Sequence, residues 1–310
     1  MLPGLVLRTQ SGFFIVETAQ GDYTCRLRGR LKQGETEGDL AAVGDRVVIT
    51  PHDDGTGMID EIKPRQSVFS RVRTGIKREF QQIILANPDQ IVAVFACAEP
   101  EPHLRMLDRF LVIAEKQYID AVIVANKIDL ISIEDAQALF DNYTKLGYPV
   151  IYTSAKTGQG LGALRSHLKD KISALAGPSG VGKSSLLNAI QPGLGLHVRA
   201  VSEATDKGRH TTQVRELFPL DVGGYVADTP GLRSLALWDT EPEELDAYFV
   251  ELRELVSDCK FSDCTHTHEP GCAVRDAVDA GRVAPERYLS YLRLRFEDES
   301  LQYTEGLDES

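Results

Sequence analysis

Residues 177–184 read Gly177-Pro178-Ser179-Gly180-Val181-Gly182-Lys183-Ser184, a complete phosphate-binding loop, yet the tetrapeptide Asn126-Lys127-Ile128-Asp129 stands before it in the chain. In a nucleoside-triphosphatase sheet that tetrapeptide reads the base, and in ordinary small GTPases it follows the phosphate loop. The reversed order describes a domain cut at one connection and rejoined at its old ends. Such a circular permutation can keep the packing of a sheet, because the natural ends of a domain lie at its surface and often close together.

The loop residues have separate physical tasks. Gly177, Gly180 and Gly182 let the backbone turn tightly enough for successive N–H groups of the 177–185 segment, Val181 included, to face phosphate oxygens. Lys183 supplies a point charge to the transferred phosphoryl group, Ser184 a hydroxyl for Mg²⁺, and the helix expected to open at Lys183-Ser184-Ser185 adds the positive end of its dipole. The apolar run Ile172-Ser173-Ala174-Leu175-Ala176 before the loop and the apolar stretch through Ile190 after it supply the strand–loop–helix setting.

Three further segments fit the same site. Asp228-Thr229-Pro230-Gly231 follows the apolar Gly224-Tyr225-Val226-Ala227, so Asp228 can hold Mg²⁺ through water and the Gly231 N–H can sense a γ-phosphate. Asn126-Lys127-Ile128-Asp129 ends the strand-like Ala121–Ala125, where the Asp129 carboxylate can accept from both guanine N1–H and the exocyclic amine; adenine offers no such pair. Thr153-Ser154-Ala155-Lys156 ends a second strand-like run, 149–152, and its backbone N–H can reach guanine O6. An Asp-x-x-Gly alone is an ordinary turn. Together, at strand ends beside a phosphate loop, the segments specify GTP or GDP.

Past the GTPase motifs, Cys259, Cys264, His266 and Cys272 stand in the spacing Cys-x4-Cys-x-His-x5-Cys. Three thiolates and one imidazole complete a tetrahedral Zn²⁺ with no open position, which favours one structural metal over a catalytic one. Spacing alone leaves His268 as an alternative to His266. Disulfides fit less well, since no signal peptide is legible and the other two of five cysteines, Cys25 and Cys97, lie far off in apolar surroundings.

The N-terminal segment reads as short strands at residues 4–7, 12–16, 23–27, 45–49 and 57–62, separated by polar turns. Five strands in that length suit a small barrel of the oligonucleotide-binding (OB) kind. A strand at 90–95, helical periodicity over 104–117 and 134–146, and strands at 121–125 and 149–153 alternate as a doubly wound α/β sheet requires. The segment Glu241-Pro242-Glu243-Glu244-Leu245 opens a helix. The expected organisation is an OB-type barrel over 1–66, a circularly permuted P-loop GTPase over 67–236, and a mainly helical zinc-binding region with an acidic tail over 237–310.

The net charge of −12 argues against a general nucleic-acid binder, but its distribution is uneven. Lys63, Arg65, Arg71, Arg73, Lys77 and Arg78 occupy a stretch without acidic residues, and Arg26, Arg28, Arg30 and Lys32 form a second cluster. Taken alone, either cluster reads better as an ordinary solvated face. No apolar run approaches the roughly 20 residues that span a bilayer, so a cytoplasmic protein with no membrane partner is expected.

With these motifs in this order, the chain resembles the ribosome small-subunit-dependent GTPase A (RsgA) family, bacterial permuted GTPases acting late in maturation of the small ribosomal subunit. The resemblance runs through the barrel, the permuted GTPase, the cysteine module ending Pro270-Gly271-Cys272, and Gly208-Arg209-His210-Thr211-Thr212, which looks like the family's switch I motif. Unlike some members, the sequence starts almost directly at the barrel. The resemblance implies GTP hydrolysis stimulated by the small (30S) subunit, contact of barrel and zinc module with its 16S rRNA, and a monomer. It also implies roles in switch I. Leu232 occupies the position after Asp-x-x-Gly where many GTPases carry a water-orienting Gln, so His210 becomes the candidate for that task, with Thr212, or Thr211, completing the Mg²⁺ shell. An RNA-binding checkpoint that hydrolyses GTP only to time its release, and a metabolic phosphotransferase or ATPase, are the competing classes; Asp129 argues against the latter.

Overall fold

The computed structural model describes residues 1–32, 40–73, 80–194, 215–228 and 240–296. The first five strands are β1 (Leu2–Gln10), β2 (Phe13–Thr18), β3 (Gly21–Leu27), β4 (Arg46–Pro51) and β5 (Thr56–Ile62). Their alternating residues send Val6, Phe14, Val16, Cys25, Leu27, Val47, Ile49 and Ile59 to one interior. The barrel closes through β1–β2–β3–β5–β4 and back to β1, with only β3–β5 parallel. A bulge between Val6 and Arg8 splits β1 into two duties: Leu2–Leu5 pair with β4, and Arg8 and Thr9 pair with a strand of the next unit.

A hairpin absent from the expectations, β6 (Val68–Arg73) with β7 (Phe80–Ala86), links the barrel to the central sheet. Gly44 makes the junction possible: at φ +88° a Cβ there would lie 2.0 Å from the Ala86 carbonyl oxygen.

The central sheet contains β8 (Gln90–Ala96), β9 (Asp120–Asn126), β10 (Val150–Thr153), β11 (Ile172–Ala176), β12 (Arg215–Pro219) and β13 (Tyr225–Asp228) in the order β10-β9-β8-β11-β13-β12. All neighbours are parallel except β12–β13. β8 is buried along its whole length, as a strand covered on both faces must be. One face packs Ile91, Ala93 and Phe95 against α1 (Leu104–Lys116) and α2 (Ile133–Lys145) through Phe110, Leu111 and Phe140. The other packs Val92, Val94 and Val122 against α3 (Leu161–Leu168) and α4 (Lys183–Ile190) through Leu164, Leu168, Leu186 and Leu187. α2 starts where Ser132 Oγ accepts from the Asp135 N–H at 3.1 Å, an N-cap that the sequence places just before its acidic first turn.

β12 also pairs antiparallel with β1, Arg8 opposite Glu216 and Thr9 opposite Arg215, so barrel and central sheet share a continuous ladder. The Tyr225 hydroxyl reinforces it by donating to the Glu17 carboxylate.

Beyond residue 240, a 3-10 turn at Pro242–Glu244 runs into α5 (Leu245–Tyr248), followed by α6 (Val250–Arg253), α7 (Ala273–Asp279) and α8 (Pro285–Phe296). Leu245, Phe249, Leu252, Val274, Val283 and Tyr291 form its core, which also takes in Val112 of α1. No helix among the described residues is long and apolar enough to cross a membrane.

Candidate functional site: the loop cluster and the cysteine module

The carboxyl ends of four parallel strands bring the expected segments together. Asn126 ends β9, Thr153 ends β10, Gly177 follows β11, and Asp228, opposite Leu175, ends β13. Permutation has changed the order of these segments along the chain without moving them from one edge of the sheet, where ligands of open α/β sheets bind.

Asn126 is 1 % exposed and braces the phosphate loop: its Nδ2 donates to the Val181 carbonyl at 2.8 Å, and its Oδ1 accepts from Thr153 Oγ1 at 3.1 Å. Gly182 lies against that amide. A Cβ at position 182 would stand 2.5 Å from Asn126 Nδ2, and φ is +95°, so the loop cannot pass there with any other residue unless it shifts. α4 opens at Lys183 with Ser184 and Ser185 half-buried in its first turn. Lys183 Nζ donates to the carbonyls of Gly177 at 2.8 Å and Pro178 at 2.6 Å, held in the curve of the loop, while Ser179 is exposed.

The base-reading segments are joined by side chains. Ser154 Oγ donates to Asp129 Oδ1 at 2.6 Å and accepts from the Thr157 N–H at 3.1 Å, while the exposed Lys156 ammonium stands 4.0 Å from Asp129 Oδ2. The Ser154 N–H is occupied by the Gln159 carbonyl at 3.0 Å, which leaves the Ala155 N–H as the next donor along that loop. Lys127, in the left-handed region at φ 64°, donates to the Glu99 carbonyl. That contact and the bond of Thr153 to Asn126 were not legible in the sequence, because each joins residues distant along the chain. His210, Thr211, Thr212, Gly231 and Leu232 lie outside the described residues, as does the side chain of Asp228.

The cysteine module converges on one point. Sγ of Cys259, Cys264 and Cys272 and a ring nitrogen of His266 all lie within 4.8 Å of one another. His266 Nδ1 stands 3.6 Å from Cys259 Sγ and 3.5 Å from Cys272 Sγ, and its Nε2 stands 3.2 Å from Asp246 Oδ2. His268 points elsewhere, its Nδ1 2.7 Å from Thr267 Oγ1, so of the two candidate histidines His266 joins the cluster. Asp246 is the partner the sequence did not reveal. It lies far upstream on α5 and fixes the imidazole with Nδ1 toward the thiols, the role of a carboxylate behind a metal-binding histidine. Glu269 ties the loop by accepting from the N–H groups of Thr265, Thr267 and His268 at 2.8, 3.0 and 3.1 Å. Burial raises the carboxyl's pKa, yet the hydrogen bond from the Thr265 hydroxyl and then these backbone bonds outweigh burial and hold it well below the usual range. Burial pushes the Cys264 thiol up to about 12, with Cys272 and Cys259 adding to it against the His266 N–H. Thiols so placed stay protonated until a cation compensates their charge. Three sulfurs and one nitrogen at this separation suit Zn²⁺, whose Zn–S and Zn–N bonds are about 2.3 and 2.0–2.1 Å.

The basic clusters divide. Arg65 grips the fully buried Asp45 with two bonds at 2.7 and 2.8 Å, Arg28 pairs with Asp60, and Lys63 pairs with Glu61 at 2.7 Å. Those three cations serve the barrel's own structure. Arg26 remains exposed and makes no ion pair among the described residues.

Comparison with known proteins agrees with this architecture. The model of the RsgA GTPase family matches residues 62–238 and that of the RsgA N-terminal domain residues 3–59. The chain belongs to the RsgA GTPase family. A relative from Gemmatimonas aurantiaca, named small ribosomal subunit biogenesis GTPase RsgA, is 52 % identical over 299 residues, covering 95 % of this chain and 96 % of its own. A Moorella thermoacetica protein of the same name is 46 % identical, covering 94 % and 95 %. Among solved structures, YjeQ from Thermotoga maritima superposes with a TM-score of 0.78 at 40 % identity, covering 96 % of this chain and 98 % of its own. YloQ, described as a circularly permuted GTPase, gives 0.73 at 36 %, covering 95 % and 94 %. This RsgA-family chain is therefore a GTPase of permuted order, with a closed five-stranded barrel ahead of the GTPase and a Cys₃His cluster after it.

Proposed function

We propose that the chain hydrolyses GTP as a late maturation factor of the small ribosomal subunit, that the subunit stimulates turnover, and that barrel and zinc module contact 16S rRNA. The observation that carries the nucleotide reading is the coupling of base reader to phosphate loop: the buried Asn126 bonds Val181, while Asp129 is held by Ser154 with its second oxygen toward Lys156. The ribosomal part rests on the names of the relatives. The working units are the barrel at 1–66, the GTPase at 67–236 and the zinc-binding region at 237–310. A cytoplasmic monomer fits this role.

In this reading Asp129 accepts from guanine N1–H and the exocyclic amine, and the Ala155 N–H donates to O6. Lys127 and Lys156 flank the base. The N–H groups of residues 177–185 surround the phosphates, and Lys183 exchanges its bonds with the Gly177 and Pro178 carbonyls for the γ-phosphate. Ser184, Thr212 or Thr211, and Asp228 through water would hold Mg²⁺, which when bound would neutralise charge on the transferred group. Gly231 senses the γ-phosphate. His210 orients the attacking water, since Leu232 can neither donate nor accept. Zinc, held by Cys259, Cys264, His266 and Cys272, does structural work only.

GTP hydrolysis measured with and without purified small and large subunits tests the proposal. Stimulation by the small subunit alone is expected; equal turnover in all mixtures would remove the ribosomal role and leave the GTPase.

A further inference from the structure

We propose that Phe13 and Arg26, on the outer face of the barrel, form a stacking platform for an unpaired RNA base. The inference rests on the reading of the chain as a partner of ribosomal RNA and names how one patch of it would make contact.

Phe13 opens β2 and is 39 % exposed, whereas the next residue, Phe14, is buried in the barrel. Since Phe14 pairs with Cys25 across β2–β3, Phe13 stands opposite Arg26, and both alternate outward. The guanidinium carbon of Arg26 lies 4.3 Å from the centroid of the Phe13 ring. The cation is thus held over the aromatic ring, while the residue remains exposed and has no carboxylate partner among the described residues. Gln10 continues the same row on β1, opposite Phe13, and accepts from Arg8 at 3.2 Å.

Charge is divided along this pair of strands, with Glu17 opposite Asp22 at one end and Arg26 beside Phe13 at the other. From Met1 to Val16 the sequence contains Arg8 and no acidic residue, in a chain whose net charge is −12. Arg28, the residue after β3, is bound to Asp60, so among the described residues of this row Arg26 and Arg8 are the cations without a carboxylate partner. A planar cation over an exposed ring matches the π-face of a nucleobase, and its positive charge, with the carboxylates of Glu17 and Asp22 kept to the far end of the β2–β3 pair, meets the adjoining phosphates. A duplex hides its base faces, so the platform selects single-stranded or everted bases. The position agrees with general experience of such barrels, whose second and third strands and first loop meet oligonucleotides.

The test uses the full chain carrying Trp238→Phe, so that the indole introduced by Phe13→Trp is the sole tryptophan. Binding of a fluorescein-labelled decauridylate and of a duplex of equal length is measured by anisotropy at fixed salt. The expected result is that Phe13→Ala and Arg26→Ala each weaken the single strand about ten-fold or more, in line with the loss of one base stack. Duplex affinity and basal GTP turnover stay unchanged. Phe13→Trp retains binding, and unlabelled decauridylate quenches its fluorescence, a signature that a merely structural role would not produce. Arg26→Lys keeps the charge but lacks the plane, and recovers only part of the loss. Unchanged single-strand affinity in Phe13→Ala, together with no quenching in Phe13→Trp, overturns the platform. Cosedimentation with the small subunit separates the two readings. If the wild type fails to sediment with the subunit, the ribosomal role falls while the oligonucleotide titration still decides the platform. Should Phe13→Ala abolish sedimentation without any effect on the decauridylate, the face meets a protein, and the RNA platform is wrong.

Discussion

Arg287 on α8 reaches Asp108 on α1 at 2.5 Å, with both side chains only 3 % exposed. The same guanidinium grips Glu251 of α6 with bonds of 2.6 and 3.0 Å, and its carbon lies 4.6 Å from the Phe249 ring centroid. Tyr143 of α2 donates to Asp108 at 2.7 Å, so one cation joins two helices of the GTPase to two of the C-terminal region. Burial would lower the Arg287 pKa, but the two carboxylates outweigh it and raise it, so the guanidinium stays charged.

Arg287→Met should therefore be costly, because it leaves Asp108 and Glu251 buried without a counter-charge. Removing one partner of a buried ion pair typically costs about 3–5 kcal/mol. Urea unfolding monitored by circular dichroism is expected to show that loss, with early proteolysis after residue 240. A midpoint equal to that of the wild type would show the cluster to be energetically neutral.

Asp129→Asn should exchange base preference. The carboxylate proposed to accept from guanine is lost, and a hydrogen bond to a charged group is worth about 1.5–3 kcal/mol. Xanthosine triphosphate, whose C2 carbonyl matches the new amide, should compete better than GTP in nucleotide displacement. Ser154→Ala, which removes the 2.6 Å bond orienting Asp129, should weaken GTP without creating that preference. If Asp129→Asn keeps its GTP affinity, the base is read elsewhere.

The cysteine cluster predicts metal content and local order together. Cys264→Ser should carry less than one zinc per chain by elemental analysis and lose subunit-stimulated turnover more than GTP binding, since the central sheet has its own core. Asp246→Asn should keep the four ligands yet bind zinc about 10–100-fold more weakly, as loss of a carboxylate behind a metal-bound histidine does. A full zinc in Cys264→Ser would remove Cys264 from the ligand set.

His210→Ala is expected to preserve GTP affinity while lowering stimulated turnover by about 10²–10⁴-fold, the usual scale of a group that positions or deprotonates water. Single-turnover hydrolysis at saturating small subunit reads this, with subunit binding measured separately on a non-hydrolysable analogue. Loss of binding along with hydrolysis would make His210 a docking residue instead.

Strand periodicity gave all five barrel strands to within a few residues, because inward and outward positions alternate around a single core. The placement of the glycine loop and Asn126-Lys127-Ile128-Asp129 at strand ends was legible because each follows its own apolar strand at short range along the chain. The spacing of Cys259, Cys264, His266 and Cys272 was legible because it too is short-range along the chain. Other features depend on residues distant in sequence. Nothing local distinguishes His266 from His268; that choice falls to Asp246, brought beneath the ring by α5. Nothing in the run of basic residues separates Arg65, clamped on Asp45, from Arg26, left on the surface, because a cation's partner is chosen by which carboxylate the barrel buries beside it. The hairpin of β6 and β7 and the ladder from β1 to β12 likewise arise only when the barrel closes against the central sheet. Short-range chemistry is written in the sequence itself, whereas long-range pairing of charges and strand edges is decided by burial, which exists only in the folded chain.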